Sequence, residues 1–280
     1  MARRIAFLFL ISLTFHVVAL PQGLPAAARP VVVQGAMRSE TEKLASSLDN
    51  VSIERVGGWT FWRGTLDGYP VIVSRTLKGI ANAAAATAIA IEHYNPIAII
   101  NQGTAGGHEP GLRLYDIVLG NSAVSLGAFK TPYRPAGASS NALDWVPLNL
   151  MASDGSAGND SSARKVARFP GDTVLLAVAR RVARLHTRGR VVDGVIGSSD
   201  MWIDEIDLIE RFHTKYGTSV EDMETASAAQ IAGLFHVAFL GIRVVSDNTT
   251  NGEPYEPKTG EACEEYVYQV VKAYVATLAR

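Results

Sequence analysis

Two hydrophobic periods alternate along the chain. Short apolar runs bounded by Gly, Pro and Asn read as buried strands, and longer stretches with a 3.6-residue rhythm read as helices. "PVVVQGAM" (30–37) predicts a strand running into a loop. "SETEKLASSL" (39–48) predicts a helix, with Ser39 as its cap and Glu42 three residues on. "TFWRGTLDGYPVIVSR" (60–75) predicts a hairpin that turns at "DGYP". An alanine-rich helix follows at 79–94, then a buried strand at 96–107 that ends in glycines, and a further strand at 115–124.

Residues 127–172 have little period and are rich in Gly, Ser, Pro and Asn, which predicts an elaborated surface loop. Beyond it the pattern predicts a helix at 172–185, a strand at 190–199 and a helix at 203–216. A strand-like "TSV" then leads into the helix of "TSVEDMETASAAQIAG" (218–233), followed by a strand at 237–247 and a last helix at 260–279. Strands alternating with helices predict an α/β fold: a three-layer sandwich whose mixed, largely parallel central sheet is flanked by helices. No break in composition follows residue 30, so residues 29–280 read as one domain.

The N-terminus stands apart. "MARR", the 16-residue apolar run "IAFLFLISLTFHVVAL" and "PQGLPAAA" have the form of a secretory signal peptide over 1–28, with Ala26 and Ala28 at an A-x-A cleavage site. The apolar run falls short of the ~20 residues a spanning helix needs. The expectation is an exported protein, periplasmic or secreted, with no membrane attachment after cleavage.

With 280 residues, 48% of them hydrophobic, the chain can build a sizeable core. A net charge of −1 gives no basic field for nucleic acid. Cys263 is the only cysteine, so neither an intrachain disulfide nor a cysteine zinc site can form, and the six histidines lack metal-ligand spacing. No metal or cofactor is expected.

In an open α/β sheet, ligands bind where loops leave the carboxyl ends of strands. Each such loop here is weak evidence by itself. "GTAGG" (103–107) is neither GxGxxG nor a P-loop, an isolated Glu40 reads first as a solvated helix residue, and "SD" (246–247) reads first as a cap. Three acids, Glu221, Asp222 and Glu224, crowd around Met223 at a helix entry. The helix dipole explains one or two of them.

Taken in order, "GAMRSE" (35–40), "INQGTAGG" (100–107), "GSSDMWI" (197–203), "VEDMETASAAQIA" (220–232) and "IRVVSD" (242–247) resemble the loop motifs of the purine nucleoside phosphorylase/nucleosidase superfamily. Within it the chain looks most like the 5′-methylthioadenosine/S-adenosylhomocysteine nucleosidases. The resemblance implies hydrolysis of the N-glycosidic bond of an adenosine-type nucleoside. It implies Asp247 as the general acid on the departing base and Glu40 as the base that activates water. Met223 and Glu224 would hold ribose, with Met37 lining the sugar pocket and Thr104 and Arg243 near ribose and water. Trp202 would stack on the purine, and the Ile203 backbone would read the base edge. Asp222 is expected to be structural, and Glu221 an extra exposed acid. A homodimer is implied, the partner covering the 5′ pocket.

Two other readings stay open. Arg38, Arg75 and Arg243 could serve a phosphorylase, against which Glu40 would repel phosphate. A secreted, non-catalytic nucleoside-binding or storage-type protein is the third.

Overall fold

The computed structural model describes residues 28–151, 165–166 and 168–278. Apart from Ala28, the expected signal peptide lies outside the described residues, as do 152–164 of the polar stretch.

Ten strands form one mixed sheet. In chain order they are β1 (Val31–Gly35), β2 (Asp49–Val56), β3 (Trp59–Leu66), β4 (Tyr69–Arg75), β5 (Ala98–Gly107) and β6 (Ile117–Ser125), then β7 (Arg168–Pro170), β8 (Val191–Ser198), β9 (Thr218–Asp222) and β10 (Ala238–Asp247). The order across the sheet is β7-β6-β8-β9-β5-β1-β4-β3-β2, and β10 pairs with both β5 and β6. Its middle is largely parallel: β1 pairs with β4 and β5, β8 with β6 and β9, and β10 with β5, while the short β9–β5 and β10–β6 pairings are antiparallel. The β2-β3-β4 meander is antiparallel.

Helices cover both faces. Alternate residues of β1 divide between them: Val31 and Val33 pack with Leu44, Leu175 and Val267 on one side, and Val32 packs with Ala90, Ala226 and Ala229 on the other. The first face carries α1 (Glu42–Ser46), α3 (Thr173–Val182) and α6 (Thr259–Leu278). The second carries α2 (Ile80–Tyr94) and α5 (Thr225–Leu234), whose small alanine side chains let the two helices lie against each other. A further helix, α4 (Ile206–Tyr216), buries Ile209 and Phe212 in a separate apolar cluster.

Local chemistry sets the ends of these elements. Asp172 caps α3, accepting from Val174 N and Leu175 N, both at 2.9 Å. The turn between β3 and β4 falls at Asp67–Gly68, both with positive φ, inside the predicted "DGYP".

Two expectations shift. The helix predicted at 39–48 begins only at Glu42, because residues 38–40 form a tight turn whose Glu40 side chain accepts from the backbone at 36 and 37. The hairpin also gains a third strand, β2, an edge strand whose Val51 and Ile53 face solvent. Within 127–172 the described residues include two two-residue ladders, Phe129–Lys130 with Val146–Pro147 and Leu150–Met151 with Lys165–Val166.

Candidate active site

The carboxyl ends of β1, β5, β8, β9 and β10 open onto one cleft of ≈ 290 Å³. It gathers Met37 and Glu40 after β1, Thr104 and Gly106 on β5, Trp202 after β8, Met223 and Glu224 after β9, and Asp247 at the end of β10. Seven of the nine residues singled out in the sequence therefore meet in one place. Among the described residues, five carboxylates line the cleft (Glu40, Glu221, Asp222, Glu224 and Asp247), against a single cationic side chain, Lys78.

Glu40 is buried and tightly held. Its Oε2 accepts from Ala36 N (2.9 Å) and Met37 N (3.0 Å), and its Oε1 from Thr104 N (2.9 Å) and Thr104 Oγ1 (3.0 Å). A carboxylate offers about four lone-pair sites, and four donors fill them. Three of these donors are fixed backbone amides. The Thr104 hydroxyl alone can rotate away and free a lone pair for another proton. Gly103 makes this seat possible, since a Cβ there would stand 2.7 Å from Glu40 Oε1.

Glu224 lies beyond Met223 at the start of α5. Its Oε1 accepts from Gly79 N at 3.0 Å, and its Oε2 stands 3.9 Å from Arg243 Nη2. Burial, then the neighbouring Asp222 charge, raises its carboxyl above the ordinary glutamate range, while Arg243 opposes the shift. Gly79 takes a positive φ of +101°, a conformation that favours glycine; its amide donates to Glu224 and the next amide, Ile80 N, to Asp200 Oδ1 at 2.8 Å. Two carboxylates from distant loops thus serve the N-terminus of α2, whose own cap residue has no side chain.

Asp247 shares a rung with Gly106, where a Cβ would come within 3.3 Å of Asp247 Oδ2. Its Oδ1 accepts from Ser246 Oγ at 2.8 Å. Burial raises its carboxyl above the usual aspartate range, partly offset by the Ser246 hydrogen bond. The protonated form, which a general acid requires, is favoured accordingly.

Arg243 and Ile203 do not line the cleft. The Arg243 guanidinium is buried beneath it, 2.5 Å from Asp222 Oδ2, and donates to Asn101 O and Asn101 Oδ1. Asp222 also takes hydrogen bonds from Ser198 and from the Thr225 hydroxyl and backbone N–H. The pair forms a buried brace beneath Glu224. The Ile203 side chain packs with Leu126, Ile209 and Phe212, and its N–H donates to Glu221 Oε1 at 3.1 Å.

Glu221 departs from its expected exposure. It is 7% exposed, lines the cleft, and lies 3.4 Å from His108 Nε2. Every residue of β9 is buried, so an acid on this strand has no solvent face to occupy. Lys78, Met201 and Tyr255 also line the cleft without having been singled out. Tyr255 meets the exposed Trp202 edge-on at the mouth, ring centroids 5.6 Å apart. Its one signal in the sequence is an aromatic in the loop that follows Asp247.

The chain as a whole is similar to known proteins. A 5′-methylthioadenosine/S-adenosylhomocysteine nucleosidase of Shewanella sediminis is 30% identical over 226 residues, covering 79% of this chain and 87% of that protein. The enzyme of the same name from Bacillus thuringiensis is 28% identical, covering 78% and 85%. Among solved structures, the Neisseria meningitidis nucleosidase of that name, in complex with methylthio-immucillin-A, superposes with a TM-score of 0.69 at 25% identity, covering 88% of this chain and 99% of that one. Futalosine hydrolase of Helicobacter pylori shares the fold, with a TM-score of 0.69 at 20% identity over 87% and 97% of the two chains. The family model of the phosphorylase superfamily matches residues 30–276, and this chain belongs to that superfamily.

Proposed function

We propose that the protein hydrolyses the N-glycosidic bond of a purine nucleoside, with Asp247 as the acid on the base and Glu40 as the base on water. The observation that carries the reading is that these two carboxylates line one cleft from the two strands that flank β5 in parallel, Glu40 after β1 and Asp247 at the end of β10. Glu40 abuts Gly103 and Asp247 abuts Gly106, so the two can meet different parts of a nucleoside bound there.

The chemistry follows from the surroundings of each group. A purine leaves readily once a ring nitrogen is protonated, and Asp247 is held toward its acid form by burial. As the bond breaks, the ribose ring gains positive charge in a cleft whose other acidic groups, Glu40 among them, outnumber its one lysine. Glu224 offers lone pairs to the ribose hydroxyls, and Met37 and Met223 supply an apolar wall. Water attacks the anomeric carbon. As the Thr104 hydroxyl turns from Glu40 Oε1, the freed lone pair takes the water's proton.

Phosphorolysis is the less favoured reading. Arg38 pairs with Glu42 at 2.8 Å, Arg75 lies over Trp62 with Glu42 3.5 Å away, and Arg243 is engaged by Asp222. All three arginines that could hold phosphate are occupied, and the carboxylates lining the cleft repel a dianion. A purely binding role leaves the four-donor seat of Glu40 without a purpose.

The relatives named above suggest a nucleoside carrying a 5′ thioether. The reading also includes a homodimer whose partner covers the 5′ pocket; sedimentation would detect the dimer. The decisive assay incubates the protein with purine nucleosides, with and without phosphate, and identifies the sugar product. Free ribose at the same rate in both supports hydrolysis. Ribose 1-phosphate that depends on phosphate would replace it with phosphorolysis, and no sugar product would leave only binding.

A further inference from the structure

A hollow of ≈ 380 Å³ adjoins the cleft and has no part in the reaction above. Its walls are apolar and largely aromatic: Phe129, Trp145, Trp202, Leu208 and the buried Phe212. Met201 and Trp202 line the cleft as well as the hollow, so one short segment divides the two spaces. The hollow is built from braced parts. Phe129 stacks on Phe212 with ring centroids 6.1 Å apart and meets Trp145 at 5.9 Å. Arg211 of α4 donates to Ala142 O at 2.8 Å and to Trp145 O, which ties the 142–145 turn to the helix that carries Leu208 and Phe212.

The lining sets the kind of occupant. Two carboxylates, Asp204 and Glu205, complete it, and among the described residues no basic side chain does. An anionic group is therefore repelled, and a flat, uncharged, apolar group fits the aromatic walls. The hollow also lies on the acid's side of the cleft. Asp204 Oδ1 accepts from Thr249 Oγ1 at 3.2 Å, two residues beyond Asp247. Ile203 N donates to Glu221, which β9 sets beside Gly106 across from Asp247. The groups assigned to sugar and water, Glu40, Met37, Met223 and Glu224, contribute nothing to its walls.

In a purine riboside joined through N9, the free nitrogen of the same five-membered ring is N7, and position 6 adjoins it across the ring fusion. A base whose N7 meets Asp247 therefore carries any 6-substituent on the acid's side, where the hollow opens. We propose that this hollow is a second subsite, which takes an apolar aromatic substituent on position 6 of the departing purine. The inference rests on the purine-nucleosidase reading and extends its substrates to 6-substituted purine nucleosides. Burying such a ring removes apolar surface from water and adds aromatic contacts with Phe129, Trp145 and Trp202.

Two measurements separate the fate of the two readings. Calorimetry with the free bases 6-benzylaminopurine and adenine reports the subsite without turnover, and ribose release from N6-benzyladenosine and adenosine reports catalysis. The benzyl base is expected to bind about 10- to 100-fold tighter than adenine. Leu208→Trp and Ala142→Leu each fill the hollow from a residue that does not line the cleft. In either variant the ratio should fall toward one, with adenine affinity and adenosine turnover as in the wild type. A tighter benzyl base without ribose release from either nucleoside would remove the nucleosidase reading and keep the subsite. Ribose release from adenosine with a benzyl base that binds no tighter than adenine would keep the nucleosidase and overturn the subsite. Neither base binding, or a ratio unchanged in both folded variants, would overturn it too. A benzyl base that gains nothing, together with a dimer that Leu208→Trp dissociates, would give the hollow to the subunit interface instead. Should one variant fail to fold, the other decides, and should both fail, the wild-type ratio decides alone.

Discussion

Gly103→Ala tests the seat of Glu40 without touching a reacting group. The new methyl would stand 2.7 Å from Glu40 Oε1 and 2.8 Å from Cδ. Ordinary carbon contact begins near ~3.5 Å, so the carboxylate must retreat by roughly 0.7 Å or more. It is the free end of a side chain and can yield, but only by loosening the bonds to Thr104 N and Thr104 Oγ1. Adding the backbone cost at φ +157°, the loss of stability should be on the order of 1–3 kcal/mol. A catalytic group misplaced by about 1 Å costs turnover about 100-fold. Glu40→Gln should cost two to four orders of magnitude, roughly the scale of a lost general base. The assay is kcat from ribose release at saturating nucleoside, with Tm alongside, for both single variants and the double variant. If Gly103→Ala acts through Glu40, it should add little in the Glu40→Gln background. An equal further loss in both backgrounds, or full turnover in Gly103→Ala, would refute the reasoning.

Three further outcomes are expected. Glu224→Ala should weaken ribosides strongly and 2′,3′-dideoxy analogues little, by kcat/KM; equal losses would count against a sugar contact. Arg243→Leu should lower stability by about 3–5 kcal/mol in denaturant unfolding, because it leaves Asp222 buried without its partner; a shift below ~1 kcal/mol would remove the brace. Glu264 is pushed up to about 7 by burial, against the pull of Leu44 N–H. A carboxyl raised by folding contributes stability at low pH that is lost as pH climbs from about 4.5 to about 7. Glu264→Gln should flatten that decline in Tm, and an unchanged slope would contradict it.

The parts legible in the sequence share one property: their burial follows from their own pattern. β1, β5 and β10 are apolar runs that end in polar or glycine-rich loops, and those loops form the cleft. β2 escapes because Val51 and Ile53 face water, which inverts the usual meaning of an apolar alternation. The start of α1 shifts because one side chain, Glu40, draws the backbone at 36 and 37 into its own turn. Glu221 misleads because β9 is buried on both faces, so a charged residue there depends on partners far away in sequence, His108 and Ile203. Arg243 reads as a site residue and is instead the support beneath one, a distinction that only the position of Asp222 reveals.

The leaving group offers the most direct test of the central claim, that Asp247 protonates a departing purine. A general acid matters most for a poor leaving group and least for a good one. Asp247→Asn should nearly abolish cleavage of purine nucleosides. It should spare p-nitrophenyl riboside, whose phenolate departs without a proton, at unchanged Tm. Loss of both rates in proportion to a fallen Tm would contradict the account and leave Asp247 as a structural residue at the end of β10.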